Sequence, residues 1–173
     1  MVTYSRNGCG IILDTAGLIV TNTHTIWQAP HILAVLHNGE KYPAKVVYVS
    51  PTYDFALLRI RAPHPLRTIK WANPALARIG EPIMAIGNAP ADDHSIMGGE
   101  ITSILSHKTK GTREYFEVNL NLYHGDSGGP ILTQEGKLLG IIMAKRSSVD
   151  KSSLAIAAGE IYEPYLKYRK TMP

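Results

Sequence analysis

The stretch GDSGGP at residues 125–130 decides how the rest of this sequence is interpreted. A serine hydroxyl attacks a carbonyl only when a base removes its proton, and backbone N–H donors must stabilise the developing oxyanion. Glycines beside a serine let the backbone approach a substrate closely. We therefore predict that Ser127 is a nucleophile. Gly125, Asp126 and Ser127 would form an oxyanion hole, with the N–H groups of Gly125 and Ser127 as its donors. The alternative is a glycine-rich turn without a catalytic role.

The composition is that of a globular protein with a real core. The chain has 173 residues, 45% hydrophobic and 18% charged, which excludes a disordered tail. The net charge of +4 is dispersed, which indicates a solvated surface and no nucleic-acid partner. Cys9 is the single cysteine, so no intramolecular disulfide forms, and we expect it to be a small buried hydrophobe. No apolar run reaches the roughly 20 residues of a membrane span, and residues 1–7 lack the apolar stretch of a signal peptide.

The hydrophobic pattern predicts many short strands separated by tight turns. One turn lies at residues 14–17, and an Asn-Gly pair at residues 38–39 is a strong hairpin signal. Such a pattern is typical of barrels or a sandwich. Two groups of strands, joined by a proline-rich segment, favour an all-β chain of two six-stranded antiparallel β-barrels with a short C-terminal helix. We expect an N-terminal barrel at 1–65, a connector at 66–80, a C-terminal barrel at 81–158, and a helix and tail at 159–173.

Seven histidines could supply the base that Ser127 needs. His24 ends the strand predicted at residues 18–22 and is the candidate, although a histidine at a strand end is also compatible with a structural role. His124 lies close to Ser127, so we expect it to face outward near the substrate. The others have turn-like polar neighbours and are predicted to be solvated: His31, His37, His64, His94 and His107.

The candidate carboxylate that would orient this base is Asp54. It begins the apolar run DFALL at residues 54–58, where it would be partly buried, and a buried carboxylate needs a partner such as an imidazole N–H. The alternative for Asp54 is a solvated loop acid. That description suits the acids with turn-like neighbours better: Asp14, Asp92, Asp93 and Asp150.

The order His, Asp, Ser along the chain resembles that of the chymotrypsin-like proteases. Five motifs resemble the HtrA (DegP-type) branch of these proteases: GCG at 8–10, VTNTH at 20–24, DFALL at 54–58, AIGN at 85–88 and GDSGGP at 125–130. The strand motifs GIIMA at 140–144 and LAIA at 154–157 extend the resemblance over about residues 8–169. It implies a chymotrypsin-like fold, a triad of His24, Asp54 and Ser127, and a serine endopeptidase that needs no metal or other cofactor.

Some positions depart from the HtrA pattern. Asp126 stands where HtrA proteins have asparagine, and we expect its carboxylate to be solvated or paired with a basic side chain. Residues 89–91 (APA) replace the Pro-Phe-Gly of the family. Relatives are trimers, but we expect the segment that builds the trimer to be very short or absent, so the oligomeric state stays open. We also expect no PDZ-like extension after residue 169.

The same resemblance implies where the substrate would bind. Asn121 falls at the position that sets charge preference in trypsin-like enzymes and is neutral, so no Lys or Arg preference is expected. The apolar neighbours predict cleavage after uncharged aliphatic residues. The implied substrate-binding residues are Leu120, Asn121, Leu122, Tyr123, His124, Ile142, Met143 and Ala144.

Three functions are compatible with these residues. The first is an endopeptidase that acts on unfolded or extended polypeptides, in quality control or processing, in an extracytoplasmic compartment as the HtrA resemblance implies. The second is a catalytically silent protease fold that serves as a peptide-binding or chaperone-like module. The third is a viral-type processing protease of the same fold. No metal site is predicted, because the histidines lack a short paired spacing with cysteines or acids.

Overall fold

The computed structural model describes residues 8–88, 96–106, 113–123, 125–145 and 152–169. The elements within these ranges are, in chain order, β1 Ile11–Ile12, β2 Leu18–Thr21, α1 Thr23–Ile26, β3 Ile32–Val35, β4 Lys41–Val49, β5 Ala56–Arg59, a short 3-10 helix Pro74–Leu76, β6 Pro82–Ile86, β7 Ile96–Ser106, β8 Arg113–Val118, β9 Pro130–Thr133, β10 Leu138–Lys145, β11 Ser153–Ala157 and α2 Ala158–Arg169. The chain is thus mostly β with a C-terminal helix, as predicted.

The first five strands form one antiparallel sheet, which we call the N-terminal half. The strand order is β1-β2-β5-β4-β3. Among the described residues this sheet is open between β1 and β3, where the sequence predicted a closed six-stranded barrel. Closure requires the two edge strands to pair along their length, and β1 contributes only two residues, Ile11 and Ile12.

The next six strands form the C-terminal barrel, which is closed in the order β10-β11-β8-β7-β6-β9. This confirms the predicted six-stranded barrel. Alternate side chains point inward along each strand: in β8, Phe116 and Val118 are fully buried, while Glu117 between them is only half-buried. The barrel core therefore follows directly from the period-two pattern.

Strands β2 and β5 are buried on both faces because each face has its own apolar cover. Leu18 and Val20 point toward the C-terminal barrel and join a core that includes Leu138, whereas Ile19 packs with Leu58 on the opposite face. The same core between the halves takes up the buried side of α2. This shared core fixes how the N-terminal half and the C-terminal barrel sit against each other.

The segment between the two halves is held at both ends. The backbone N–H of Leu66 donates to the carbonyl of Thr15 at 3.0 Å in the N-terminal half. Further on, the N–H of Leu138 donates to the carbonyl of Lys70 at 2.7 Å, and the N–H of Ala72 donates to the carbonyl of Leu138 at 2.9 Å.

None of the helices in the described ranges has the length and hydropathy that crossing a membrane requires.

Candidate active site

His24 lies in α1, a single helical turn directly after β2, and not at the end of the strand itself. Polar contacts hold this turn in place. The side-chain amide of the fully buried Asn22 donates to the carbonyl of Asp54 at 2.8 Å. Thr25 Oγ1 donates to the carbonyl of Asn22 at 2.7 Å and lies 3.0 Å from Thr21 Oγ1. The turn that carries His24 is therefore tied both to β2 and to the loop that carries Asp54.

Asp54 contacts His24 with both carboxylate oxygens. Oδ2 lies 2.5 Å from Nδ1 of the imidazole, and Oδ1 accepts the backbone N–H of His24 at 3.0 Å. Both side chains are partly open to solvent, with exposed fractions of 49% for His24 and 30% for Asp54. A carboxylate at Nδ1 orients the ring and stabilises its protonated form, so that Nε2 is the nitrogen suited to act as a base.

Ser127 lies in a glycine-rich loop that packs against the start of the N-terminal half. The backbone N–H of Cys9 donates to the carbonyl of Ser127 at 2.7 Å. Gly8 lies between this carbonyl and the turn of His24: a Cβ there would lie 2.7 Å from Thr25 Cγ2 and 3.3 Å from Ser127 O. A Cβ at Gly128, whose φ is +86°, would overlap the carbonyl oxygen of Cys9. The loop of Ser127 and the turn of His24 therefore face each other across Gly8.

The backbone N–H groups of this loop differ in whether they have an acceptor among the described residues. The N–H of Asp126, part of the predicted hole, instead donates to the carbonyl of Tyr123 at 3.2 Å. Within the described residues, the N–H groups of Gly125 and Ser127 donate to no other group. Gly125 has φ +108°, which side-chain-bearing residues rarely adopt. The pair Gly125 and Ser127 remains the predicted donor pair.

The carboxylate of Asp126 is completely buried, so the prediction that it is solvated or paired with a base was wrong. Oδ1 accepts the backbone N–H of Asn88 at 2.9 Å, and Oδ2 accepts the backbone N–H of Tyr123 at 2.7 Å. Two main-chain donors thus satisfy the charge in place of a cation. A Cβ at Gly87 would overlap Oδ1, which explains the glycine beside Asn88 in the AIGN motif.

Cys9 contributes a contact that the sequence did not predict. Its half-buried thiol donates to the carbonyl of Gly125 at 3.2 Å. Burial, together with the negative charge of Asp126, raises the pKa of the Cys9 thiol to about 11, so the thiol keeps its proton at neutral pH. The side chain that looked like a small hydrophobe is therefore a hydrogen-bond donor to the loop of Ser127.

Three predicted substrate-binding residues lie in the interior of the C-terminal barrel. Leu120, Leu122 and Ile142 are each at most 2% exposed and pack in the barrel core. Ser153 Oγ also donates to the carbonyl of Leu120 at 3.1 Å. Their side chains are therefore not accessible to a substrate, and only other residues of the predicted set can contact one.

Asn121 and Tyr123 are exposed, and the amide of Asn121 donates to the phenol of Tyr123 at 2.6 Å. Met143 is half-buried, and its carbonyl accepts a long contact of 3.5 Å from Ser127 Oγ. Several predicted positions lie outside the described residues: residues 89–91, Asp92, Asp93, His94, His107, His124, Asp150 and the side chain of Ala144. The specificity pocket stays a prediction.

No group of three or more histidine, cysteine and acidic side chains within the described ranges is arranged to hold a metal ion.

Comparison with known proteins agrees with this fold. Residues 8–141 match the trypsin-like peptidase domain, and the chain belongs to that family. As the five motifs predicted, the relatives within this family are HtrA-type proteases.

The chain is 33% identical over 147 residues to the mitochondrial serine protease HTRA2 of Bos taurus, and the match covers 82% of this chain and 32% of that protein. It is 35% identical over 138 residues to the periplasmic serine endoprotease DegP of Salmonella typhimurium, and this match covers 78% of this chain and 29% of that protein. It is 32% identical over 148 residues to the serine endoprotease DegS of Escherichia coli, where the match covers 84% of this chain and 41% of that protein. The chain thus spans less than half of each of these relatives.

Solved structures show the same fold. The HtrA-type protease AlgW with a decapeptide superposes with a TM-score of 0.82 at 23% identity, over 95% of this chain and 52% of that chain. AlgW with a tripeptide gives a TM-score of 0.80 at 24% identity, over 90% of this chain and 53% of that chain. The open N-terminal sheet and the closed barrel therefore belong to a chymotrypsin-like, HtrA-type architecture.

Proposed function

We propose that this chain is the protease domain of a serine endopeptidase that hydrolyses peptide bonds through an acyl-enzyme intermediate. The observation that carries the proposal is the double contact of Asp54 with His24 in a turn that faces the loop of Ser127. The order of these residues and the membership of the trypsin-like peptidase family support it.

In this mechanism His24 takes the proton of Ser127 as its Oγ attacks the substrate carbonyl. Asp54 fixes the orientation of the imidazole and stabilises the imidazolium that forms. The N–H groups of Gly125 and Ser127 hold the oxyanion. His24 then passes the proton to the leaving amine, and a water molecule, activated in the same way, releases the acyl group from Ser127.

The proposed substrates are unfolded or extended polypeptides, and the proposed role is quality control or processing. The relatives named as endoproteases and the peptide-bound AlgW structures support this class of substrate. Cleavage after uncharged aliphatic residues is proposed from the neutral side chain of Asn121. An extracytoplasmic compartment is proposed by analogy with the DegP relative, which is named as periplasmic.

Active-site labelling with a fluorophosphonate tests the proposal. We expect one label per chain on Ser127, cleavage of an unfolded protein by the wild type, and loss of both in Ser127→Ala. The cleavage sites in that protein would show whether uncharged aliphatic residues precede the cut bonds. Cleavage that persists in Ser127→Ala would contradict the proposal.

The same experiment separates the enzyme from a silent binding module. An unlabelled wild type, together with a Ser127→Ala variant that still binds unfolded substrate, would support the module. The close contact between His24 and Asp54 does not favour this alternative.

A further inference from the structure

The loop that joins β4 to β5 carries Asp54 and is closed by its own hydrogen bonds. The backbone N–H of Ser50 donates to the carbonyl of Phe55 at 3.0 Å, and Ser50 Oγ accepts the N–H of Tyr53 at 3.1 Å. The N–H of Phe55 also donates to the carbonyl of Tyr53 at 2.8 Å, which places Asp54 at the centre of a three-residue turn. A displacement of Tyr53 would therefore be transmitted directly to Asp54.

The side chain of Tyr53 leaves this loop and contacts the C-terminal barrel. Its phenol donates to Glu114 Oε1 in β8 at 2.7 Å, and its ring meets the ring of Tyr115 edge-on, with centroids 5.8 Å apart. Burial, the hydrogen bond to Glu114 and the negative charges of Glu160, in the first turn of α2, and of Glu114 raise the pKa of Tyr53. The phenol therefore stays protonated and donates to an acidic group of the barrel.

The position of this contact matters because the reacting groups come from different halves of the molecule. His24 and Asp54 belong to the N-terminal half, whereas Ser127 belongs to the C-terminal barrel. Proton transfer requires the base and the nucleophile to be held within hydrogen-bond reach. A hydrogen bond between a phenol and a carboxylate is charge-assisted and directional, so it is suited to fix the position of one half relative to the other.

We infer that Tyr53 is a positioning residue, whose bond to Glu114 holds Asp54, and through it His24, in register with Ser127. The inference rests on the proposed function, because it assigns a role within the same triad. Tyr53 does not touch the substrate in this account. It sets the geometry of the acid that orients the base.

The test compares Tyr53→Phe with Tyr42→Phe. Tyr42 is a matched control because its phenol also donates to a carboxylate, Glu40 Oε2 at 3.0 Å. Tyr42 and Glu40 both lie within the N-terminal half, so their bond does not join the two halves. We expect Tyr53→Phe to lower kcat per titrated active site by about fivefold to tenfold with KM unchanged.

A second variant keeps the inference testable if Tyr53→Phe folds poorly. Glu114→Gln retains the ring contacts of Tyr53 and an oxygen acceptor but removes the charge. It should also lower kcat, by a smaller factor than Tyr53→Phe. The inference is overturned if both variants match Tyr42→Phe in kcat per titrated active site. It is also overturned if only the titratable fraction falls while kcat per site is unchanged. An unlabelled wild type would instead overturn the proposed function, and this inference with it.

Discussion

Tyr123 and Asp126 bind each other through two hydrogen bonds. The backbone N–H of Tyr123 donates to Oδ2 of Asp126 at 2.7 Å, and the backbone N–H of Asp126 donates to the carbonyl of Tyr123 at 3.2 Å. The other carboxylate oxygen is held by Asn88. The residue beside the proposed nucleophile therefore anchors the loop on both of its sides, and its charge has a structural role.

Replacement of this carboxylate by an amide should weaken the loop. In Asp126→Asn only one side-chain oxygen can accept, and the NH₂ group faces a second N–H donor. We expect the free energy of unfolding to fall by about 1–3 kcal/mol, with a lower rate of fluorophosphonate labelling at Ser127. Urea denaturation and labelling kinetics measure both. If Asp126→Asn has the same stability and the same labelling rate as the wild type, the two hydrogen bonds from backbone N–H groups are unimportant.

Two glycines offer a test of the space around the same carboxylate. A Cβ at Gly87 would overlap Asp126 Oδ1, whereas a Cβ at Gly98 would meet nothing within 4 Å. We expect Gly87→Ala to reduce stability and labelling of Ser127, because the carboxylate must leave its two donors. Gly98→Ala should stay within about 0.5 kcal/mol of the wild type. Equal thermal unfolding temperatures for the two variants would contradict this account.

The thiol of Cys9 should make stability depend on pH in the alkaline range. The pKa of Cys9 is raised from 9.0 to about 11 in the folded chain, first by burial and then by Asp126. As the pH rises, the thiol of the unfolded chain therefore ionises before that of the folded chain. The contribution of the protonated Cys9 to the free energy of unfolding is present below about pH 9 and is lost as the pH rises toward 11. Urea denaturation from pH 8 to 10.5 should show a steeper loss of stability for the wild type than for Cys9→Ala.

Cys9→Ala also removes the donor to Gly125 O. We expect kcat to fall about threefold to tenfold at pH 7.5, as for the loss of one hydrogen bond. Iodoacetamide should modify the thiol much more slowly in the folded protein than in urea at pH 8. Fast alkylation of the folded chain, or unchanged kcat in Cys9→Ala, would contradict the hydrogen bond.

The contact of Asp54 with His24 can be compared with a second histidine–carboxylate pair. His64 Nε2 lies 3.1 Å from Glu40 in an exposed pair that includes none of the three proposed triad residues. We expect Asp54→Asn to lower kcat by about four orders of magnitude, because the amide no longer holds the correct imidazole tautomer. Glu40→Gln should leave kcat unchanged. A loss of similar size in both variants would mean that general destabilisation, and not the proposed triad, explains the effect.

Much of the fold could be predicted because its causes are local. Tight turns and period-two alternation are properties of neighbouring residues, and they predicted the short strands that form the closed C-terminal barrel. The open N-terminal sheet could not be predicted in the same way. Whether β1 and β3 meet depends on how the whole sheet coils against the barrel, which no short segment specifies.

The sequence by itself determined the fold class, the family motifs and the candidates His24, Asp54 and Ser127, because residue type and spacing carry that chemistry. Only the tertiary structure decided which groups meet. Asp126 is satisfied by the backbone N–H of Asn88, 38 positions away, and backbone donors leave no mark on residue type. The Cys9 thiol contacts Gly125 across 116 positions, and Tyr53 contacts Glu114 across 61. These distant pairs arise from the packing of the N-terminal half on the barrel.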